Sequence, residues 1–374
     1  MILVDATPLQ SEHKTRGVGT YTRNLVQGLT TVQSSTPISF ITERSEMLPI
    51  LSDVSSNIRI FRPHRPAQVY WLYNELILKE AVRRSQAALF HATDFNGLIC
   101  VPGLKTVATL YDFTPMEDNG PCLTLSHVMS RLRWNIYFKE KIPQTDHIIT
   151  ISNVIRNEAI ARLGLDSKRI TVVPLGVNTR LYCPSESNEP RFHPRRYIAF
   201  VGSHEPHKNF SVLWSAFVQV AHLIPDLDLL ICGRWSQQGV KAWSGSAEVH
   251  GLNNRVQHLP FLSTQDQVSF YRSALVLVVP STAEGFGLPV LEAMACATPV
   301  IASDIPIFRE VAAGAAMFFN PLQSEELAEL ILQIAQTDET RNSYAQMGLA
   351  RSVMFGWDQV VKQTLDVYEK VLKV

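Results

Sequence analysis

Glu284 and Glu292 stand on either side of a glycine-rich turn that leads into Pro289. Proline suits the first position of a helix, because its missing N–H would have had no partner there. The amides of Gly287 and Leu288, together with the positive end of the helix dipole, then offer a site for an anion such as a diphosphate. The spacing therefore predicts a ligand site in which carboxylates lie on both sides of a phosphate.

The two carboxylates would contact different parts of such a ligand. Glu292, on the first turn of the helix, can accept hydrogen bonds from a diol such as a ribose, and Glu284 projects towards the group attached beyond the phosphates. With Phe286, these residues form the predicted ligand-binding turn. The structural alternative is that Glu292 only complements the helix dipole, Glu284 is a solvated loop charge, and the glycines only make a turn.

The elements that must position this turn are short apolar strands alternating with helical patterns, which is typical of a parallel α/β protein. The predicted strands are 2–6, 38–42, 58–61, 88–91, 106–110, 147–151, 170–173, 197–201, 228–232, 256–258, 275–279, 299–302 and 316–319. The predicted helices are 19–29, 74–84, 125–141, 152–163, 210–222, 289–297, 324–336, 339–355 and the tail 356–374. Ligands of open α/β sheets bind at the carboxyl ends of the strands, where the turn lies.

At 374 residues the chain exceeds what one hydrophobic core usually supports, so two domains are expected. The stretch 174–196 is rich in Pro, Ser, Asn, Glu and Arg and has no periodic run, which indicates a connection. We expect an acceptor-side domain at 1–185, with the helix 356–374 packing back on it, and a nucleotide-sugar domain at 195–355. Both would be Rossmann-like, doubly wound parallel-sheet domains that face a cleft.

The charge balance, the cysteines and the apolar stretches argue against several classes of protein. The 34 basic and 34 acidic residues balance, which argues against a nucleic-acid binder that relies on bulk electrostatics. The five cysteines are scattered without a C-x-x-C pair, which fits reduced thiols in a cytoplasmic protein and suggests no metal cluster. The amino terminus lacks the basic region of a signal peptide, and no apolar stretch approaches the ~18 residues of a spanning helix.

Further candidate residues follow other predicted strands. Gly202, His207 and Lys208 come after the first strand of the second half, where Lys208 can act as a point charge on a diphosphate. Gly17 and Gly19 form a loop entering a helix in the first half, where backbone can approach a phosphate closely.

The Gly17 loop also allows a dinucleotide interpretation. Glu43 at the end of the second strand supports it, whereas Thr22 stands where a third small residue would be needed. Asp94 and Asp112 follow two neighbouring strands and can hydrogen-bond sugar hydroxyls or an acceptor, although turn chemistry also explains an aspartate at such positions.

Taken together, these motifs resemble the family 4 retaining glycosyltransferases of the GT-B fold over nearly the whole chain. The similarity is to the mannosyltransferase-like members that build bacterial lipopolysaccharide O-antigen or exopolysaccharide. The matching pieces are the glycine loop 16–25, the pair Tyr111-Asp112, the segment 205–209 and the turn 284–292. The family usually has His at the position of Tyr111 and Arg at that of His207, so one sugar contact and one positive charge are changed or absent.

The resemblance implies a role for each matched residue. Gly17 and Gly19 would lie near the donor phosphate, Lys208 on the diphosphate, Glu284 on the hydroxyls of the donor sugar and Glu292 on the ribose. The reaction would transfer a sugar from a nucleoside diphosphate to a hydroxyl with retention at the anomeric carbon. It would need neither metal nor cofactor.

The donor implied is GDP-mannose or a UDP-sugar, and the acceptor is a glycan or a lipid-linked glycan. Bases alternate with aromatics along 131–141, so this helix could contact an anionic bilayer at the inner face of the membrane, although the pattern favours a domain helix with a solvated basic side. Two other functions stay open: a catalytically silent nucleotide-sugar-binding subunit, and an NAD-dependent oxidoreductase that uses the Gly17 loop.

Overall fold

The apolar runs of the sequence form parallel strands in two separate sheets. The computed structural model describes residues 1–11, 14, 17–43, 48–51, 58–60, 74–113, 125–185 and 189–373. Contacts divide the chain into a first unit, Met1–Gly176 with Trp357–Val374, and a second unit, Val177–Gly356. The predicted boundary at 185 differs from this division, because Tyr182 hydrogen-bonds Gln267 and the carbonyl of Cys183 accepts from Arg272, both in the second unit.

The first unit contains a seven-stranded parallel sheet within the described residues, in the order β3-β2-β1-β4-β5-β6-β7. Its side chains are buried along most strands, as expected for a parallel sheet that is covered on both faces. The strands are β1 Ile2–Asp5, β2 Ile38–Glu43, β3 Ile58–Ile60, β4 Leu89–Ala92, β5 Lys105–Leu110, β6 His147–Thr150 and β7 Ile170–Val172.

Helices connect these strands. Asn74–Leu78 and Tyr137–Lys141 are π-helical turns, and Ile142–Gln144 is a short helix. The other helices of this part of the chain are α1 Gly17–Thr31, α2 Lys79–Arg84, α3 Leu125–Ile136 and α4 Asn153–Leu163. Helix α1 begins at Gly17, so the expectation of a glycine loop through Gly19 is wrong: both glycines lie in the first helical turn.

Among its described residues, the second unit contains a six-stranded parallel sheet in the order β10-β9-β8-β11-β12-β13. Its strands are β8 Arg196–Val201, β9 Leu227–Cys232, β10 Val256–Leu259, β11 Val276–Val279, β12 Val300–Ser303 and β13 Met317–Phe319. Its helices are α5 Phe210–Ala221, α6 Gln237–Val249, α7 Thr264–Arg272, α8 Leu288–Ala295, α9 Pro306–Ala312, α10 Ser324–Gln336 and α11 Asp338–Ser352.

Every strand overlaps one predicted from the sequence, and the doubly wound parallel α/β class is confirmed. The sequence analysis placed no helix at α6, α7 or α9. Helix α6 carries Gly and Ser, and α7 is mostly polar, so neither has a strong apolar period; α9 is too short to show one. None of the helices in the described part of the chain is long and apolar enough to cross a membrane.

The last helix, α12 Trp357–Leu372, belongs to the first unit and packs against α1. Its buried stripe includes Tyr368, whose hydroxyl lies 2.6 Å from Nδ1 of His91 on β4. The other ring nitrogen, Nε2, lies 2.9 Å from Oγ1 of Thr109 on β5, which also lies 3.1 Å from the hydroxyl of Tyr21 on α1. This fully buried network ties both helices to the centre of the sheet, and burial lowers the pKa of His91 to about 3.

The buried histidine predicts a pH dependence of the first unit. An unfolded chain binds a proton at His91 below pH ~6.5, whereas the folded unit does not, so stability is complete above that pH and falls as the pH drops towards 3. At pH 5 the expected loss is about 2 kcal/mol. Hydrogen–deuterium exchange of Lys105–Leu110 and Trp357–Leu372 at pH 7 and pH 5, corrected for intrinsic rates, measures it.

His91→Gln is the comparison variant, because glutamine can hydrogen-bond both neighbours and does not titrate. Its exchange should depend less on pH than that of the wild type. Burial also lowers the pKa of His147, to about 4, so some pH dependence should remain in the variant. Equal pH dependence in the two proteins would contradict the role of His91.

Candidate functional site

The centre of the second sheet is the place where its strand order changes direction. Strands β8 and β11 are neighbours, with β9 following β8 on one side and β12 following β11 on the other. Connections therefore leave these two strands in opposite directions, and the gap between their carboxyl ends is the usual ligand site of a doubly wound sheet. The loops that follow the two strands carry Lys208 and Glu284 respectively.

Backbone and side-chain hydrogen bonds fix these two loops together. After β8, residues Pro206–Lys208 form a 3-10 turn, and Asn209 follows in the left-handed conformation at φ 51°. The amide of Asn209 donates to the carbonyls of Pro280, at 3.0 Å, and Pro321, at 2.7 Å. The N–H of Thr282 donates to the carbonyl of His207 at 2.8 Å. The loop after β8 is thus held against the loop after β11.

Lys208 and Glu284 meet across this junction. Nζ of Lys208 lies 2.6 Å from Oε1 of Glu284, and Oγ of Ser281 donates to the same oxygen at 2.8 Å. The side chains of the lysine and the glutamate are 20% and 15% exposed, so water screens the pair only partly. An ammonium group has three N–H donors, so Lys208 can hold Glu284 and a second anion at once.

The turn after Glu284 leads into helix α8 as the sequence predicts. Gly287 is the N-cap, with φ 94°, and Leu288 is the first helical residue, one position before Pro289. A Cβ at Gly287 would lie 2.7 Å from Cε1 of Phe308, so both the backbone conformation and the packing require glycine. The half-buried Leu288 and this N-terminus remain suited to an anion.

Phe286 points into the protein instead of out of the turn. It is 4% exposed, and its ring packs edge-to-face on Phe355 with centroids 6.1 Å apart. The side chain therefore anchors the turn, and only its backbone is left for the ligand contact predicted from the sequence. The glycine after β8, Gly202, has its N–H bonded to the carbonyl of Cys232, and its own carbonyl accepts from Nε1 of Trp235, each at 2.9 Å.

Glu292 is the fifth residue of α8, one turn further along than the sequence analysis placed it, and it is held by helix α7. Its Oε2 accepts from the hydroxyl of Tyr271 at 2.8 Å and from the amide of Gln267 at 3.2 Å. Burial raises the pKa of Glu292 to about 7, and the hydrogen bonds from Tyr271 and Tyr182 oppose that rise. The carboxyl group therefore takes up its proton near neutral pH.

Gln267 and Tyr271 escaped the sequence analysis because helix α7 itself did. They stand one helical turn apart, which is the spacing that puts two side chains on one face. A weak signal was present, since both follow Ser263, whose hydroxyl accepts from the N–H of Asp266 as a helix N-cap.

The remaining predicted residues play other parts. The imidazole of His207 lies 3.5 Å from the carboxylate of Glu205. The residue contacts the site through its backbone carbonyl, which accepts from the N–H of Thr282. Two further aspartates, which are not among the predicted site residues, lie at the start of β9; the first, Asp226, forms a two-pronged ion pair with Arg196. Asp228 is buried and bonded to His193 and Arg255, so both aspartates serve structure.

Gly17, Gly19 and Asp112 lie in the first unit. Gly17 is exposed at the start of α1, Gly19 is buried in the same turn, and Asp112 is half-buried directly after β5. The structure does not test their proposed ligand contacts. Tyr111 is buried, and its hydroxyl donates to the carbonyl of Thr93 at 2.7 Å.

Comparison with known families assigns both halves of the chain. Residues 15–181 match the model of Glycosyltransferase Family 4, and residues 185–351 match the model of Glycosyl transferases group 1. The chain belongs to the family 4 glycosyltransferases. The family predicted from the sequence is therefore confirmed.

Relatives of this chain include O-antigen chain mannosyltransferase B of Escherichia coli, 28% identical over 62% of this chain and 62% of the relative. Phosphatidyl-myo-inositol mannosyltransferase of Mycobacterium leprae is 33% identical over 60% of this chain and 59% of the relative. The aligned parts span less than two thirds of these two proteins.

A solved structure gives the same architecture over the full length. Alr3699/HepE of Anabaena, in complex with UDP-glucose, superposes with a TM-score of 0.72 at 18% identity and covers 99% of each chain. The GT-B fold expected from the sequence is therefore confirmed.

Because Gly287 at the N-cap of helix α8 has a positive φ and packs against Phe308, its replacement should lower the stability of the second unit. Gly287→Ala should destabilise the second unit by about 1–3 kcal/mol, because alanine is strained at positive φ and meets the Phe308 ring. Gly245→Ala in helix α6 is the control, since a Cβ there meets no atom within 4 Å and should be neutral or stabilising. Thermal unfolding compares the two; equal midpoints would refute the constraint.

The raised pKa of Glu292 predicts pH-dependent nucleotide binding. A diol donates to the ionised carboxyl group, so affinity for GDP or UDP should weaken by up to about tenfold for each pH unit below 7. Calorimetric titration from pH 8 to 5.5 measures this. In Glu292→Gln the nucleotide phosphates still titrate but the carboxyl group is gone, so the affinity of this variant should depend less on pH. The same pH dependence in the variant and the wild type would argue against a ribose contact.

Proposed function

We propose that this chain is a retaining glycosyltransferase that moves a sugar from a nucleoside-diphosphate sugar to a hydroxyl of a glycan or lipid-linked glycan. The observation that carries the proposal is the Lys208–Glu284 ion pair, held at the junction of β8 and β11 and followed by the N-terminus of α8. A cation, a carboxylate and a helix N-terminus together match the diphosphate and the sugar of such a donor.

The relatives support mannose as the transferred sugar. Both reported relatives are named mannosyltransferases, one for O-antigen chains and one for a phosphatidyl-inositol lipid. We therefore propose GDP-mannose as the first donor to test and a role in bacterial surface polysaccharide synthesis at the cytoplasmic face of the membrane. UDP-sugars are the second choice, since HepE was solved with UDP-glucose.

The proposed step needs no basic side chain at the reacting carbon. The bond between the anomeric carbon and the diphosphate oxygen breaks, the acceptor oxygen bonds to the same face, and the acceptor proton passes to the leaving phosphate oxygen. Negative charge that develops on the diphosphate is stabilised by Lys208 and the amides of Gly287 and Leu288. Glu284 orients the sugar hydroxyls, Glu292 the ribose, and Asp112 a sugar or acceptor hydroxyl.

A silent nucleotide-sugar-binding subunit is the second candidate, and Tyr111 favours it. The buried hydroxyl of Tyr111 is already bonded to the carbonyl of Thr93, and burial raises its pKa well above 10. Its hydroxyl is therefore already engaged and offers no contact to the donor sugar at a position where the family usually has a histidine.

Nucleotide release from GDP-, UDP- and ADP-sugars separates these functions. The transferase should release nucleotide from one donor, with a loss of about a hundredfold or more in Lys208→Met and in Glu284→Gln. Lys241→Met and Glu248→Gln, exposed residues of the same unit, are matched controls that should keep full activity. Saturable donor binding without release, in the presence of glycolipid acceptors, would identify the silent subunit instead.

We also propose that helix α3 and the turn after it touch an anionic membrane surface. Of the three aromatic residues of this stretch, Tyr137 and Phe138 are buried and do not face lipid, and Trp134 is half-buried. The exposed face carries instead Val128 and Leu132, 47% and 53% exposed, with Arg131 and Lys139 beside them. Apolar side chains among basic ones suit a bilayer that holds a lipid-linked acceptor.

Vesicle binding tests this contact. Changing Arg131 and Lys139 to Gln should weaken binding to phosphatidylglycerol vesicles by about tenfold or more, since each base near an anionic surface contributes about 1 kcal/mol. Changing the exposed Lys14 and Lys362 of the same unit to Gln is the matched control. If both double variants bind like the wild type, the proposed surface is wrong.

A further inference from the structure

The first sheet has its own point where the strand order changes direction, between β1 and β4. The loops after these strands are joined: Oγ1 of Thr93 donates to the carbonyl of Asp5 at 2.6 Å. Gly97 lies so close to the Asp5 carboxyl group that a Cβ there would overlap it. This junction is thus as tightly built as the one that carries Lys208 and Glu284, and it occupies the corresponding ligand-binding edge.

A group of polar side chains surrounds this junction, which we call the Asn96 cluster: Asp94, Asn96, Asn74 and Arg133. Nδ2 of Asn96 donates to Oδ2 of Asp94 at 3.2 Å, and its Oδ1 accepts a long bond from Nη1 of Arg133 at 3.4 Å. The side-chain amide of Asn74 donates to the backbone carbonyl of Asn96. The guanidinium of Arg133 also stacks over Trp134, 4.4 Å from the ring centroid.

Three buried atoms of the cluster have no hydrogen-bond partner among the described residues. They are Oδ1 of Asp94, Nε of Arg133 and Oδ1 of Asn74. Asp94 is 5% exposed and Asn74 is 1% exposed. Buried polar atoms are nearly always paired, so three in one cluster indicate a missing partner.

The gap between Asp94 and Arg133 defines the chemistry of that partner. Both side chains bond to Asn96, yet within the described residues no ion pair within 4.0 Å joins them to each other, and each keeps one buried atom without a hydrogen-bond partner. A hydroxyl group both donates and accepts, so it can donate to the carboxylate oxygen and accept from Nε. A second hydroxyl on the same ring can donate to Asn74.

We propose that the Asn96 cluster binds vicinal hydroxyls of the carbohydrate acceptor, an inference that rests on the proposed glycosyl transfer. A phosphate group fits less well, because its oxygens accept hydrogen bonds. Oδ1 of Asp94 and Oδ1 of Asn74 are also acceptors and need a donor. A metal cation fits less well, because the Arg133 guanidinium shares the site. Asp94, Asn74 and Arg133 select and position the acceptor; the bond-making groups remain those of the donor site.

The wild-type protein gives the first test. Crystals are soaked in methyl α-mannoside, methyl α-glucoside and methyl α-galactoside in turn. Sugar hydroxyls between Oδ1 of Asp94 and Nε of Arg133 would support the proposal. Ordered water alone at the cluster with all three glycosides would overturn it, because water would then be the missing partner.

Variants give the second test, in solution. Asp94→Asn keeps the shape of the side chain and should raise the dissociation constant of the bound glycoside by about tenfold or more, as should Arg133→Lys. Affinity for GDP or UDP should stay within about twofold in both. Asp358→Asn, an exposed aspartate of the same unit, is the matched control. Unchanged glycoside affinity in both cluster variants would overturn the assignment.

The two proposals fail in different ways. If glycosyl transfer is wrong, no donor releases nucleotide, whether or not a glycoside binds at the cluster. If only the cluster assignment is wrong, the wild type releases nucleotide and transfers sugar, and Asp94→Asn does so with the same KM for the glycoside. A rise in that KM with an unchanged rate of donor hydrolysis separates an acceptor contact from a loss of folding.

Discussion

Each sheet of this family 4 chain is organised by the same constraint: two adjacent central strands whose connections leave in opposite directions. Because every strand is parallel, the carboxyl ends lie on one edge, and only at this junction do two loops diverge enough to admit a ligand. In the second unit the junction holds Lys208 against Glu284. In the first it holds Asp5 against Gly97 and carries the Asn96 cluster. The placement of polar residues follows from this topology.

The donor site combines charges in different environments. Lys208 and Glu284 are partly shielded from water and bonded directly, so the lysine is positioned before any ligand arrives. Glu292 has no cation within ion-pair distance among the described residues; the hydroxyl of Tyr271 and the amide of Gln267 hold it instead. This difference explains why burial moves the pKa of Glu292 to about 7. One turn of chain thus carries a carboxylate paired with a cation and a carboxyl group that titrates near neutrality.

Tyr111 and His207, the two residues that depart from the pattern expected for the family, are each held by contacts with nearby residues. Tyr111 is packed edge-to-face on Tyr21, with ring centroids 5.6 Å apart, and its hydroxyl is satisfied by the Thr93 carbonyl. His207 contributes its backbone carbonyl to the joint between two loops. Neither side chain takes part in the contact between Lys208 and Glu284.

The sequence by itself determined the strands, the fold class and the turn from Glu284 to Glu292, because buried parallel strands are continuous apolar runs and glycine and proline mark turns locally. It did not determine helix α7, whose polar residues carry no clear period, and so it missed Gln267 and Tyr271. Nor could it show that Phe286 faces inward or that Glu292 titrates near pH 7, since burial depends on residues distant in the chain. Only the tertiary structure brought Asp94, Asn74 and Arg133 together, because no local pattern links three residues on separate elements.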